Sequence, residues 1–259
     1  MPILFILFSL ILALNQQINT FILNKTDQSA RIVNGELITI DQAKFVVNLR
    51  FYEKFICGGS LVASKIVLTA AHCVDWLSPA ELSIIGGATY LSEKDIKRSV
   101  SKIHIPEEYN FLTKDMDIAL LELSEPMEGD NISTIELCNT KWNTGDEMAV
   151  YGWGRIAEDI AESSEQLRIV KVPAVEQSKC SDMYKEVGEI TNSMFCAGDL
   201  KGKDSCKADS GGPAVLNDQL CGVVSWGEGC ARHDFPGVYA NIMFAIAFID
   251  KIMNKYESH

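Results

Sequence analysis

The hydrophobic positions of the chain fall into short runs that are separated by turn-forming residues. Runs rich in Val, Ile, Leu and Tyr span residues 45–51, 65–70, 81–85, 118–123, 149–153, 167–172 and 220–226. Gly, Asn, Asp, Ser and Pro lie between them. Many short strands without alternating helices predict antiparallel β-sheets, either closed into barrels or packed as a sandwich. We therefore expect an all-β fold.

Two segments depart from this strand pattern, one at each end of the chain. Residues 241–256 contain no Gly or Pro and carry apolar residues around most of the helical turn, which predicts a terminal helix packed on the body of the protein. Residues 3–14 form an almost unbroken apolar run, but at about 1.5 Å per residue it is too short to cross a hydrocarbon core of about 30 Å. We interpret residues 1–20 as a signal peptide and expect a secreted, extracellular protein.

Composition narrows the class of protein. The 259 residues are 47% hydrophobic and 22% charged, which suits a packed globular core and argues against a protein that spans the membrane many times. The net charge is −12, from 23 Lys and Arg against 35 Asp and Glu, and no basic block occurs, so we expect no binding to nucleic acid. No second apolar stretch of about 20 residues follows residue 14, so we expect no association with membranes either. After the leader, about 230 residues remain, enough for one long domain or two barrels in contact.

Only four histidines are present, so a candidate general base can be sought by elimination. His259 is the last residue, His104 has the setting of a strand end, and His233 lies in a charged loop. We interpret His104 and His233 as structural and expect His259 to be mobile. His72 differs because small residues precede it and the adjacent Cys73 can fix its backbone through a disulfide. His72 is therefore the candidate base.

Two further segments carry candidate partners for this histidine. Ser210 is followed by Gly211 and Gly212, which permit a tight turn that a substrate backbone can approach closely, although such a fragment alone is usually only a turn. Asp117 leads directly into an apolar run. A carboxylate drawn into the interior needs a hydrogen-bonding partner such as an imidazole N–H, whereas the alternative is a strand-end Asp facing water. The chain order is His, Asp, Ser.

With these motifs the chain resembles the chymotrypsin-like serine peptidases, and their trypsin branch in particular. The resemblance rests on residues 31–35, 57–61, 68–73, 117–121, 152–154, 209–213 and 225–227. It implies two six-stranded antiparallel β-barrels packed together, the first over about residues 32–135 and the second over about 136–240, with a C-terminal α-helix at 241–256. The site would lie in the cleft between the barrels.

The resemblance assigns roles to the residues of this site. Ser210 would attack the scissile carbonyl after His72 takes its proton, and Asp117 would orient the imidazole and stabilise its charged form. The backbone amides of Ala208 and Ser210 would form the oxyanion hole. No cofactor and no metal are expected.

The resemblance also predicts the substrate. Ser225, Trp226 and Gly227 would bind the substrate main chain as an added strand. Asp204 falls where a carboxylate at the base of a slot selects Arg or Lys side chains, and Gly227 and Gly237 fall where small residues keep that slot open. The expected substrates are proteins or peptides cleaved after Arg or Lys, and protein protease inhibitors are expected partners.

Cleavage of the precursor is expected to activate the protein. Residues 21–31 would form a propeptide that a trypsin-like protease removes by cutting after Arg31. The new ammonium group at Ile32 would pair with the carboxylate of Asp209, which is costly to bury alone. The uncut chain would then be a nearly inactive zymogen, and the mature enzyme would be a monomer.

One departure from the family pattern bears on activity. Ala208 stands where the family motif has Gly, and if the backbone needs a glycine-like conformation there, its methyl group costs roughly 1–2 kcal/mol. We expect a slowed peptidase. The competing class is a non-enzymatic homologue that binds substrates or inhibitors and regulates an active cascade.

The eight cysteines predict a disulfide framework, because an even number in a secreted protein leaves no free thiol. By the resemblance the pairs are Cys57 with Cys73, Cys180 with Cys196, and Cys206 with Cys230. Cys138 and Cys221 remain, and their pairing would complete four bridges.

Two surface features complete the sequence analysis. Glu93 and Asp95, in the segment that matches a calcium-binding loop of vertebrate trypsins, offer too few oxygens for a calcium site. Asn24 and Asn131 begin glycosylation sequons, and only the second would remain after activation.

Overall fold

Strands and turns make up most of the chain that the structure describes. The computed structural model describes residues 35–94, 96–154, 162–199, 209–229 and 234–257. Within them lie fourteen strands, three short 3-10 turns and two α-helices. The segments expected to be a signal peptide and a propeptide fall outside these residues, as do Asn24, Arg31, Ile32, Asp95, Asp204, Cys206, Ala208, Cys230, His233 and His259.

Six antiparallel strands close into a barrel in the first half of the chain. They are β2 (Val46–Phe51), β3 (Lys54–Ala63), β4 (Ile66–Thr69), β5 (Leu82–Gly86), β6 (Ile96–His104) and β7 (Ala119–Leu123). They pair in the order β2-β3-β4-β7-β6-β5, and β5 returns to β2. Alternate side chains point into the barrel, where Val47, Leu49, Leu61 and Ile84 are fully buried.

The remaining strands form a second sheet. They are β1 (Glu36–Leu37), β8 (Glu136–Leu137), β9 (Glu147–Gly152), β10 (Arg168–Pro173), β11 (Met194–Ala197), β12 (Pro213–Leu216), β13 (Gln219–Trp226) and β14 (Gly237–Asn241). Their order is β1-β10-β9-β12-β13-β14-β11, and β8 pairs with β13 in parallel. All other pairs are antiparallel.

This second sheet curls until the end of β10 meets the end of β11. Ala174, directly after β10, forms an isolated bridge with Ala197 at the end of β11. The N–H of Val175 donates to the carbonyl of Cys196 at 2.8 Å, and that of Gly198 donates to the carbonyl of Pro173 at 3.0 Å. Six strands, β10-β9-β12-β13-β14-β11, therefore form a nearly closed second barrel. A continuous strand pair was expected between the first and the last of them, but an isolated bridge and loop hydrogen bonds join them instead. The expected all-β class is confirmed.

The expected C-terminal helix is also present. Helix α2 (Ile242–Glu257) begins where the side chain of Asn241 accepts from the N–H groups of Met243 at 3.1 Å and Phe244 at 3.4 Å, as an N-cap does. It buries the apolar residues Ile242, Ala245, Ile249 and Ile252. A shorter helix, α1 (Gln177–Tyr184), precedes β11. Neither helix of the described chain is long and apolar enough to cross a membrane.

Three disulfides link these elements. They are Cys57–Cys73, Cys138–Cys221 and Cys180–Cys196. The second joins the residue after β8 to β13 with its Cα atoms 4.7 Å apart, although 83 positions separate the two cysteines. The third ties α1 to β11. No free cysteine occurs among the described residues.

The hairpin between β12 and β13 predicts a stabilising substitution. Its two turn residues, Asn217 and Asp218, have φ of 50° and 61°, as in a type I′ turn, which favours Gly at the second position. We expect Asp218→Gly to raise the free energy of unfolding in urea by about 0.5–1 kcal/mol. Asp130→Gly, at an exposed residue whose φ is not positive, should lower it instead.

A histidine between β6, β7 and α2 predicts sensitivity to acid. The side chain of His104 is only 11% exposed, and its Nε2 lies 3.7 Å from a carboxylate oxygen of Glu122. Burial lowers the pKa of His104, Lys102 and Lys255 lower it further, and Glu122 opposes the shift. Because the unfolded chain then takes up a proton before the folded protein does, stability is lost as pH falls through the unfolded pKa of about 6.5.

We therefore expect His104→Gln to unfold less readily in acid than the unmodified protein does. The measurement is the shift of the melting temperature between about pH 7.5 and about pH 5 for both proteins, a range that spans the histidine titration. An equal shift in the two proteins would contradict the prediction.

Candidate active site

Strand register brings His72 and Asp117 to the same rim of the first barrel. Strand β4 pairs antiparallel with β7, and Thr69 at the end of β4 lies opposite Ala119 at the start of β7. His72 lies three residues after Thr69, on a 3-10 turn over Ala71–Cys73, and Asp117 lies two residues before Ala119. The end of one strand and the start of its antiparallel neighbour meet, so the two side chains meet as well.

The carboxylate of Asp117 holds the imidazole in place. Its Oδ2 lies 2.7 Å from Nδ1 of His72, and its Oδ1 accepts from the backbone N–H of the same residue at 2.9 Å. The hydroxyl of Ser225 donates to Oδ2 at 2.5 Å. Because a carboxylate only accepts, Nδ1 carries the proton of the neutral ring, which makes Nε2 its basic nitrogen.

Asp117 is fully buried, yet it is the charged form that this site stabilises. Burial alone would raise the pKa of Asp117, but the hydrogen bonds and charge of His72, together with the hydroxyl of Ser225, hold it below its usual value. The side chain of His72 is still 19% exposed. An ionised carboxylate therefore lies behind an imidazole that a substrate can reach.

Ser210 is held against this rim by contacts between the two halves of the chain. The N–H of Gly58 in β3 donates to the carbonyl of Ser210 at 2.8 Å, and Oγ1 of Thr69 donates to the carbonyl of Gly58 at the same distance. Gly211 has φ of +79°, and a Cβ atom there would overlap Thr69 and Gly58. Only glycine fits this turn. Ser210 is half-buried and lies beside β3 and the end of β4, which leads into the 3-10 turn that carries His72.

A buried carboxylate precedes this serine. Asp209 is 3% exposed, and its Oδ1 accepts from the N–H of Gly154 at 2.8 Å. A Cβ atom at Gly152 or at Gly154 would overlap the carboxylate, so these two glycines provide the space in which it lies. A carboxylate buried directly beside Ser210 is costly unless a cation or hydrogen bonds compensate its charge, so the turn that carries Ser210 depends on what pairs with Asp209.

The residues predicted to bind substrate lie at the end of β13. The ring of Trp226 packs edge-on against Tyr184 with centroids 4.9 Å apart. The next residue, Gly227, is close to Gly237 on the neighbouring strand, since a Cβ atom at Gly227 would lie 3.9 Å from the Cα atom of Gly237. Asp204 lies outside the described residues.

Sequence reasoning missed two contributors to this site. It predicted only main-chain contacts for residues 225–227, whereas the hydroxyl of Ser225 binds Asp117. It also missed Tyr109, whose hydroxyl donates to Oδ2 of Asp75 at 3.1 Å. Burial raises the pKa of Tyr109, and the negative charges of Asp117 and Asp75 raise it further. No local pattern identifies either residue, because both contacts join distant positions.

Metal ligation does not fit the donors of this region. Side-chain atoms of Cys57, His72 and Cys73 lie within 4.8 Å of one another, but the two sulfur atoms are bonded in a disulfide and offer no thiolate. In the loop that the sequence analysis compared with calcium sites, Oε2 of Glu93 accepts from the N–H groups of Thr89 at 2.6 Å and Tyr90 at 3.0 Å. This carboxylate oxygen is therefore already used in holding the loop backbone.

Fold and site together define a class of protein. A closed six-stranded barrel and a second curled sheet carry an imidazole–carboxylate pair beside a glycine-flanked serine, as in chymotrypsin-type serine peptidases. Sequence comparison assigns the family, because the family model described as Trypsin matches residues 32–249. The chain belongs to the trypsin family and is a serine endopeptidase.

Relatives match over most of both chains. The chain is 42% identical to Seminase of Drosophila melanogaster over 225 residues, which are 85% of this chain and 81% of that protein. It is 39% identical to Vitellin-degrading protease of Bombyx mori over 225 residues, 85% of each chain. It is 36% identical to Trypsin alpha of Drosophila melanogaster over 244 residues, 93% of this chain and 94% of that one.

Proposed function

We propose that the chain is a secreted trypsin-like endopeptidase, made as a zymogen cleaved after Arg31, that hydrolyses peptide bonds after Arg or Lys. The observation that carries the proposal is the buried Asp117 carboxylate, which binds both Nδ1 and the backbone N–H of His72 on the rim that also seats the Ser210 turn. This arrangement supports a nucleophile, a base and an orienting carboxylate in one place.

The reaction follows from these positions. As Oγ of Ser210 attacks the scissile carbonyl carbon, its proton passes to Nε2 of His72, and Asp117 stabilises the imidazolium that forms. The N–H groups of Ser210 and Ala208 would hold the negative oxygen of the tetrahedral intermediate. When the C–N bond breaks, the proton goes to the leaving amine. Water then attacks the acyl ester and gives a proton to the imidazole. When the bond to the serine oxygen breaks, the imidazolium returns this proton to Oγ of Ser210, and the acid product leaves.

Selection of Arg or Lys would depend on Asp204. A carboxylate at the base of a desolvated slot favours a cationic side chain strongly over an apolar one. Gly227 and Gly237 carry no side chains that would fill the slot, which supports room for a long side chain. One relative is named Vitellin-degrading protease, which agrees with proteins as substrates. Protein inhibitors that present an Arg or Lys loop would bind the same slot.

Activation would use the buried carboxylate beside the nucleophile. After cleavage at Arg31, the ammonium group of Ile32 would pair with Asp209 and order the slot and the oxyanion hole. Residues 1–20 would direct secretion and residues 21–31 would be the propeptide. Asn131 is exposed, which supports its use as a glycosylation site in the mature enzyme.

A second candidate function rests on a single residue. Ala208 replaces the glycine of the oxyanion motif, and complete loss of that donor would cost about 3–4 kcal/mol of transition-state stabilisation. A homologue impaired to this degree would bind substrates or inhibitors without turning them over usefully.

An active-site titration distinguishes the two functions. Protein with a free Ile32 terminus is mixed with an Arg ester that releases a chromophore, with Ser210→Ala as the blank and a Phe ester to test specificity. We expect a burst of one chromophore per protein with the Arg ester and none with the blank. Full-length Arg31→Gln, which trypsin-like proteases cannot cut there, should give no burst.

The other outcomes have distinct meanings. A burst of equal size and rate with the Phe ester would contradict the Arg or Lys specificity. A burst from Arg31→Gln would contradict the zymogen. No burst from protein shown to be folded and cleaved would contradict the peptidase proposal and favour the binding homologue.

A further inference from the structure

A buried arginine lies next to the pocket that holds Asp209. Arg168 is the first residue of β10 and is only 5% exposed. It lies opposite Gly152 of β9 and opposite Leu37 of β1. The residue therefore sits between the strand that lines the Asp209 pocket and the short strand that begins the described chain.

The side chain of Arg168 lies on the same face of the sheet as the Asp209 carboxylate. Directly opposed residues of an antiparallel pair project to one face, so the side chain of Arg168 follows the direction of a Cβ atom built on Gly152. That Cβ atom would overlap the carboxylate of Asp209. Burial lowers the pKa of Arg168, whereas the charge of Asp209 raises it, as expected of a buried cation near a buried anion.

The guanidinium connects two separate pieces of backbone. Its Nη1 donates to the carbonyl of Gly35 at 3.3 Å, and its Nε donates to Oγ of Ser164 at 3.0 Å. The backbone N–H of Ser164 donates to the carbonyl of Gly154 at 3.1 Å, and the N–H of Gly154 donates to Asp209. A continuous series of hydrogen bonds thus runs from Gly35 to the Asp209 carboxylate.

The guanidinium holds the described chain at Gly35, whereas the residues that follow are held by the pairing of β1 with β10 and by hydrogen bonds of Ile38 with Leu167 and Gln166. Strand β1 contains only Glu36 and Leu37, and both are exposed. Gly35 lies three residues after Ile32, so an extended chain places the Ile32 nitrogen at most about 14 Å from the Gly35 carbonyl. A fixed Gly35 carbonyl therefore limits the positions that the new terminus can reach.

We propose that Arg168 is a positioning residue for activation, which anchors Gly35 to the wall of the Asp209 pocket so that the cleaved Ile32 ammonium enters it. The proposal rests on the proposed cleavage after Arg31. It assigns the effect to the two hydrogen bonds of the guanidinium and not to its charge, because a second cation near Asp209 would by itself compete with the ammonium.

The test measures how well the Ile32 amine is protected in the cleaved protein. Arg168→Gln removes the charge, and Arg168→Lys keeps the charge but loses the paired geometry of the guanidinium. The matched control is Arg50→Gln, because Arg50 is also 5% exposed and also binds backbone carbonyls, those of Glu53 and Leu91, in the first barrel. Each protein is treated with cyanate, and carbamoylation of Ile32 is followed by mass spectrometry, with melting temperature and active-site titre measured in parallel.

In both Arg168 variants we expect cyanate to carbamoylate Ile32 at least about 10-fold faster than in the wild-type protein. As pH is raised, both variants should lose activity at a lower pH than the wild-type protein does, because a less protected ammonium group gives up its proton more readily. Arg50→Gln should have a lower melting temperature than the wild-type protein, but its Ile32 amine should be protected as well as in the wild-type protein. Equal protection in Arg168→Gln and Arg50→Gln would overturn the inference, as would stronger protection in Arg168→Gln, which would mean that charge competition dominates.

The amine readout also separates this inference from the proposed function. If the cleaved wild-type protein gives no titration burst, the peptidase proposal fails, yet the protection of Ile32 still reports whether Arg168 anchors the terminus. If the wild-type protein is active and the Arg168 variants match it in both readouts, only the anchoring role fails.

Discussion

Replacing Asp117 with Asn should lower kcat for an Arg ester by about 10⁴-fold in the cleaved enzyme. An amide NH₂ group facing Nδ1 of His72 makes that nitrogen an acceptor, so the ring proton moves to Nε2. The imidazole can then no longer accept the proton of Ser210. The measurement is kcat with active sites counted by titration, and circular dichroism checks that the variant is folded.

Ser225→Ala is the matched control for this prediction, because it removes one donor to Asp117 but keeps both contacts of the carboxylate with His72. Loss of a hydrogen bond to a buried charge should lower the free energy of unfolding by about 1.5–3 kcal/mol. The decrease in kcat should be far smaller than for Asp117→Asn. If the Asp117→Asn enzyme kept more than about a tenth of wild-type kcat, Asp117 would not set the tautomer.

The second large effect is expected from Gly211→Ala. A methyl group there would overlap the hydroxyl of Thr69 and lie 2.5 Å from the carbonyl of Gly58, at a residue whose φ is +79°. Both neighbours are fixed by hydrogen bonds, so the turn itself must move. We expect a loss of about 3 kcal/mol or more in the free energy of unfolding, together with loss of the titration burst.

Gly145→Ala is the control that separates the cost of positive φ from the cost of the overlap that Gly211→Ala creates. Gly145 also has positive φ, at +91°, but no atom lies within 4 Å of the Cβ position. This variant should lose only about 1 kcal/mol and keep full activity. Urea unfolding of both variants gives the comparison, and equal losses would mean that φ alone, and not the contact between the halves, makes glycine necessary at position 211.

The fold class and the site were predictable where the evidence is local. Each of His72, Asp117 and Ser210 carries its own flanking motif, and the order of the three along the chain led to the family, which the Trypsin match shows. The terminal helix was predictable for the same reason, since neither Gly nor Pro interrupts residues 241–256. Motifs of this kind are readable because the chemistry requires those residue types at that spacing.

What the sequence did not provide depends on contacts between distant positions. Ser225 and Asp117 are 108 positions apart, and nothing beside either residue indicates their hydrogen bond. The closure of the second sheet depends on curvature, which brings Ala174 to Ala197 without a strand at that place. A pattern of short apolar runs predicts strands but does not fix how far a sheet curls.

The position of Ser210 between the two halves of the molecule has a consequence for unfolding. Ser210 precedes β12 of the second sheet, but its carbonyl is bound by Gly58 of the first barrel, and Gly211 is packed against both Gly58 and Thr69. Hydrolysis by Ser210 and His72 would therefore need the two halves docked, and one buried apolar cluster that includes Leu61 and Val223 joins them as well. In rising urea, activity should be lost no later than the far-ultraviolet signal of the strands, because activity reports on the docking of the two halves and the spectrum reports on the strands within them.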